Sequence, residues 1–91
     1  MKQFVVTLEL LADPPGPEVS EAQQAFLAEL LQQGTLMMSG PFSDGRGGMA
    51  ILRGDSLEAA QDLYGESPIV RSGGAAVDVR EWNVLLDSTR R

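Results

Sequence analysis

The chain contains neither cysteine nor histidine. Without cysteine there can be no disulfide and no thiolate ligand or nucleophile. Without histidine it lacks the commonest general base at neutral pH, every Ser-His-Asp or Cys-His arrangement, and the commonest zinc ligand. The carboxylates that remain are scattered along helix faces and caps rather than grouped at the spacing a hard cation needs, so no metal and no cofactor is expected. Positive charge is also scarce. Seven basic side chains face thirteen acidic ones, for a net charge of −6, and two of the seven are the terminal pair Arg90 and Arg91. A surface of that kind does not suit a phosphate backbone or an anionic membrane. No run approaches the ~20 apolar residues that span a bilayer. The opening "MKQFVVTLEL" lacks the apolar core and small-residue cleavage site of a secretion signal, so a cytoplasmic location is expected.

What is present is the patterning of one small α+β domain of 91 residues. "KQFVVTLELL" alternates, with Phe4, Val6, Leu8 and Leu10 on one face and Gln3, Val5, Thr7 and Glu9 on the other, which marks the first strand. "ADPPGP" breaks regular structure. A helix follows, with Ser20 as the expected N-cap and Gly34 as the stop. "TLMMSGPF" is the second strand, with Leu36, Met38 and Phe42 on one face; Pro41 cannot donate to a ladder and places it at a sheet edge. "SDGRGG" is a hairpin turn rather than a phosphate cradle, because no helix start follows it, and it leads into a third strand, "MAILR". Asp55 or Ser56 caps a second helix, "LEAAQDLYG". "ESPIVRSGG" is irregular or a single short turn. "AAVDVREWNVLL" is the fourth strand, with a bulge expected near Glu81 and Trp82.

The order βαββαβ predicts a ferredoxin-like fold, a four-stranded antiparallel sheet with both helices on one face, over residues 1–86, followed by a flexible tail at 87–91. The other face is expected to carry Val5, Thr7, Leu11, Met37, Ala50 and Leu52. That is too apolar to leave in water and predicts a homodimer through the sheet face.

On a helical wheel Val19, Ala22, Phe26, Leu27, Leu30 and Leu31 share one arc, and Gln23 projects into its middle. Two explanations stand. Ser20 and Gln23 sit at capping-box spacing, which would turn the amide back to the helix start. Alternatively, Gln23 lines a cleft between helix and sheet near Ser39 and Ser67. Trp82, the only tryptophan, either packs at a contact surface or lines such a cleft.

The succession Gly34, Ser39-Gly40-Pro41-Phe42, Asp44-Gly45, Pro68, Gly73 and Trp82 resembles the YCII-related (YciI-like) family over residues 2 to 86. The resemblance implies a dimeric α+β barrel, an arrangement shared with muconolactone isomerases. It also implies an active site in a cleft, built around a histidine on the first helix and an aspartate before the later proline. One branch of the family contains dehydrochlorinases of chlorinated hydroxyhydroquinones. Carried onto this chain, the histidine position is Gln23, an arginine often found three residues earlier falls on Ser20, and the aspartate falls on Ser67. The ligand-binding candidates are therefore Gln23, Ser20, Ser39, Ser67 and Trp82, with no catalytic residue assigned. A glutamine cannot shuttle a proton near pH 7. The expected function is a small dimeric protein with a small-molecule cleft in a non-catalytic ligand-binding or accessory role. The alternative is a lyase or isomerase on a phenolic or lactone-like substrate, resting on Ser39, Asp44, Tyr64 or Glu81.

Overall fold

Strand β1 (Lys2–Leu10) sends Phe4 and Val6 to complete burial on one face, as its alternation predicts. The computed structural model describes residues 2–11 and 15–88. After β1 come α1 (Pro17–Gln32), β2 (Leu36–Pro41), β3 (Gly47–Gly54), α2 (Leu57–Gly65), the four-residue α3 (Pro68–Arg71) and β4 (Ala75–Glu81). The strands form one antiparallel sheet in the order β2-β3-β1-β4, so Pro41 does lie on an edge strand. The expected α+β fold is present. Its core joins Phe4, Val6, Ala50, Leu52 and Val79 of the sheet to Leu30 of α1 and to Ala60 and Tyr64 of α2. Phe26 meets Tyr64 edge to face, with ring centroids 6.1 Å apart.

Several sequence expectations are corrected. Helix α1 starts at Pro17, with Gly16 as N-cap. Proline suits the first helical position because its missing N–H is one the helix would leave unbonded anyway. Ser20 therefore lies inside the helix, its own N–H bonded to the Gly16 carbonyl at 3.0 Å, and the Ser20–Gln23 capping box does not form. The far end does stop at Gly34, whose φ of +80° accompanies N–H bonds from Gly34 to Leu31 and from Thr35 to Leu30. At α2 the cap is Ser56, whose hydroxyl accepts from Ala59 N at 3.1 Å.

The facing of β3 is opposite to the one expected. Leu52 pairs with Phe4 and Ala50 with Val6, so both point into the core, while Met49, Ile51 and Arg53 share the outward face with Val5 and Thr7. In β2 the register shifts between Leu36 and Met38: Leu36 pairs with Leu52 but Met38 with Ile51. The extra residue, Met37, reverses the strand's facing, so Met38 turns outward and Ser39 turns towards the helices. The bulge expected in β4 is absent, since its register with β1 is continuous from Phe4–Glu81 to Leu10–Ala75. Instead β4 ends at Glu81, opposite Phe4, and Trp82 N–H makes one more bond, to the Gln3 carbonyl of β1 at 2.9 Å. Residues 83–86 carry no strand, and Leu85 and Leu86 are exposed. Part of the expected "ADPPGP" break, residues 12–14, and the tail from residue 89 lie outside the described residues.

The corrected facing has a direct consequence. Leu52→Ala should cost about 2–5 kcal/mol because it opens a cavity in the core, whereas Met49→Ala, on the outward face, should cost well under about 1 kcal/mol in the monomer. Denaturant unfolding of the two variants checks this. Comparable losses would restore the opposite facing.

Candidate functional site

A cleft of about 750 Å³ opens between α1 and the β2 side of the sheet. Leu27 and Leu31 of α1 form one wall and residues 36–41 of β2 the other, with Leu8 and Leu10 of β1 between them. Gln23, Tyr64 and Ile69 also line it. The cleft has room because small residues stand on the sheet here: Ser39, Pro41, Gly47 and Gly48 all line it. Gly47 admits nothing larger, since a Cβ there would overlap the Leu8 carbonyl oxygen. Among the described residues no acidic or basic side chain lines the cleft.

Gln23 is only 8% exposed, and its partner is neither Ser20 nor a residue of its own helix. Its Oε1 accepts from the backbone N–H of Ile69 at 3.0 Å, in a buried bond spanning 46 positions of sequence. Ile69 is the second residue of α3, whose N-cap is Ser67. A serine in that place ordinarily bonds such an N–H with its own hydroxyl. Here Gln23 supplies the acceptor from another helix, and the Ser67 side chain makes no capping bond. Ser67 Oγ is fully buried and has no hydrogen-bond partner among the described residues; neither has Nε2 of Gln23. The amide orientation follows from the Ile69 bond, because flipping it would set N–H against N–H.

Tyr64 stands beside this amide. Burial pushes its hydroxyl above the ordinary tyrosine range, and the neighbouring Gln23 amide opposes that in part. Nε2 nevertheless does not reach hydrogen-bond geometry with any group. Tyr64 therefore keeps its proton well past neutral pH and remains a potential donor.

Gln23 and Ser39 line the cleft, whereas Ser20, Ser67 and Trp82 are not among its lining residues. Ser20 is half-buried on α1; Trp82 is 47% exposed beyond the end of β4. Of the alternative catalytic candidates, Tyr64 and Ser39 line the cleft. Asp44 is occupied in the hairpin turn, accepting from Arg46 N at 2.9 Å. Glu81 pairs with Lys2 at 3.8 Å on the surface. The role of Ile69 N–H could not be anticipated from local spacing, since its acceptor comes from 46 residues away. Among the described residues no group of three or more acidic side chains is placed to hold a metal ion.

A sequence-family model described as the YCII-related domain matches residues 8–83. The uncharacterized protein YjpA of Bacillus subtilis (strain 168) is 39% identical over 59 residues, covering 65% of this chain and 69% of YjpA. Two enzymes have similar folds. Muconolactone isomerase superposes with a TM-score of 0.76 at 15% identity, covering 98% of this chain and 96% of its own. The 5-chloro-2-hydroxyhydroquinone dehydrochlorinase of Burkholderia phenoliruptrix AC1100, in complex with 2,5-dihydroxybenzoquinone, gives a TM-score of 0.70 at 19% identity over 89% of this chain and 93% of its own.

The exchange of capping roles between Gln23 and Ser67 predicts a non-additive pair. Gln23→Ala strips a buried N–H of its acceptor and should cost about 1–3 kcal/mol. Ser67→Ala removes a buried hydroxyl with no partner and should be neutral or stabilising, unlike an ordinary N-cap, where the loss is about 1 kcal/mol. In the Gln23→Ala background the serine hydroxyl is the only local substitute, so Ser67→Ala should then become costly. Thermal melts of the four proteins provide the cycle; additive losses would remove Gln23 from the capping role.

Proposed function

The chain belongs to the YCII-related family, and on that footing we propose that it is a small homodimeric protein whose cleft binds a small molecule in a ligand-binding or accessory role, without catalysis. One observation carries this reading. At the position where the family resemblance places a histidine, Gln23 has its oxygen committed to Ile69 N–H, and an amide neither gives nor takes a proton near neutral pH. The cleft offers orientation and desolvation but, among the described residues, no base. Tyr64, whose proton is held by burial, serves only as a donor.

The enzymatic alternative, a lyase or isomerase on a phenolic or lactone-like substrate, draws support from the names of the two similar folds. At 15% and 19% identity those likenesses speak for the fold alone. Such chemistry would have to proceed through Tyr64 as an electrophile without a partner base.

The dimer is proposed through the outward sheet face. Val5, half-buried, pairs at its centre with Ile51, which is only 4% exposed. The apolar surface left open beside them is Met38 and Met49, 61% and 40% exposed. A specific interface there would bury more than about 1,000 Å² in total. Sedimentation should give the dimer mass, and Met38→Asp, at a side chain 61% exposed in the single chain, should give folded monomers because its charge is buried at the interface. A monomer mass for the parent protein would refute this part of the proposal.

Binding is tested by ligand-observed NMR with catechol, hydroxybenzoquinone and γ-butyrolactone as probes. At least one should bind the parent chain and not the variant Ala28→Trp, whose indole fills the cleft from its α1 wall. The bound probe should be recovered unchanged. Conversion of any probe in more than stoichiometric yield would replace this reading with the enzymatic one.

A further inference from the structure

We infer that the cleft is built to hold the uncharged carbonyl end of its ligand, with Gln23 Nε2 and the Tyr64 hydroxyl as a pair of donors facing one acceptor oxygen. This rests on the cleft being a ligand site, as proposed above, and adds what that ligand must be chemically.

The inference starts from the Ile69 bond. It uses the Gln23 oxygen as acceptor at 3.0 Å and so leaves the amide's two N–H donors for whatever stands on the other side. That nitrogen is buried, on a residue 92% withdrawn from solvent, and has no partner among the described residues. Both Gln23 and Tyr64 line the cleft, and the phenol stands beside the amide. A buried donor left without an acceptor is costly, so a ligand that presents an acceptor gains more than its own hydrogen bond.

What that acceptor carries follows from the rest of the lining. A carboxylate or phenolate would leave water for a site with no cation among the described lining residues, which is strongly unfavourable. A purely apolar molecule would suit Leu27, Leu31 and Leu36 but leave Nε2 unpaired. A ketone, quinone, lactone or amide carbonyl satisfies both requirements, because one oxygen accepts two hydrogen bonds through its two lone pairs. Neither donor titrates near neutrality: an amide has no such equilibrium, and burial keeps the phenol protonated. Recognition of this kind is independent of pH across the neutral range.

The test uses three probes of one shape, acetophenone, benzoate and ethylbenzene, titrated against isotopically labelled protein and followed by NMR. Acetophenone should bind at least about tenfold more tightly than either of the others, with unchanged affinity from pH 6 to 9, the scale expected where a site's buried donors would otherwise stay unpaired. Two folded variants remove the donors separately. Tyr64→Phe keeps the ring against Phe26 and should reduce acetophenone affinity to that of ethylbenzene. Gln23→Glu keeps an acceptor for Ile69 N–H but puts a titratable carboxyl in place of the amide donor, so acetophenone affinity should become pH-dependent and fall as that carboxyl ionises. Equal binding of ethylbenzene, tighter binding of benzoate, or unchanged acetophenone affinity in both variants would overturn the donor pair while leaving the cleft as a ligand site. Failure of all three probes to displace or be blocked by the Ala28→Trp indole would overturn the ligand site itself.

Discussion

One backbone amide sets the terms for the rest of the site. Ile69 N–H is buried in the first turn of a helix only four residues long, where a helix has no acceptor of its own to offer. Gln23 supplies the acceptor from α1. That single bond ties α1 to α3 and explains why a polar residue stands in the middle of an apolar arc. It also fixes the amide's orientation, frees Ser67 from the role its position would give it, and leaves a nitrogen beside Tyr64 at the cleft. Stability and recognition therefore share one side chain: its oxygen serves the fold and its nitrogen serves the cleft.

The space in front of that nitrogen has a backbone origin. At the mouth of the β2–β3 hairpin, Gly47 lies so close to β1 that a Cβ would strike the Leu8 carbonyl, and Gly48 comes within 2.8 Å of the Gly40 carbonyl by the same measure. The glycines leave the β3 side of this surface without side chains, while Leu8 and Leu10 of β1 still floor the cleft. The bulge at Met37 extends the effect, because the shifted register sets Ser39 opposite Ala50, on the helix side of the sheet. A cavity that looks like missing core is thus written into glycine placement and one inserted residue.

How much of this was legible depended on whether the cause was local. Alternation in β1, the glycine stop of α1 and the edge position signalled by Pro41 all follow from short-range backbone chemistry, and all are present. The facing of β3 was not legible. In "GGMAILRG" the larger side chains Met49 and Ile51 suggest an inward face, but pairing with Phe4 and Val6 turns Leu52 and Ala50 inward instead. The bulge in β2 carried no turn residue to announce it. Ser20 looked like a cap because of its side chain, whereas Pro17 had the stronger claim through its fixed φ. For Gln23 the wheel correctly isolated an anomaly, yet its cause lay 46 residues away. The family resemblance added a position, not a partner.

The contrast between an imidazole and an amide at this place is therefore larger than a loss of basicity. A histidine exchanges its proton near neutral pH and can serve as donor or acceptor at either nitrogen. Gln23 is fixed on both counts: one end accepts from the backbone, and the other can only donate. Tyr64, kept protonated by burial, presents its O–H to the same space. Neither the Gln23 amide nor the Tyr64 phenol exchanges a proton near neutral pH. The same α+β frame is shared with a muconolactone isomerase and a 5-chloro-2-hydroxyhydroquinone dehydrochlorinase at 15% and 19% identity, so the frame supplies a cleft without deciding what chemistry is done in it.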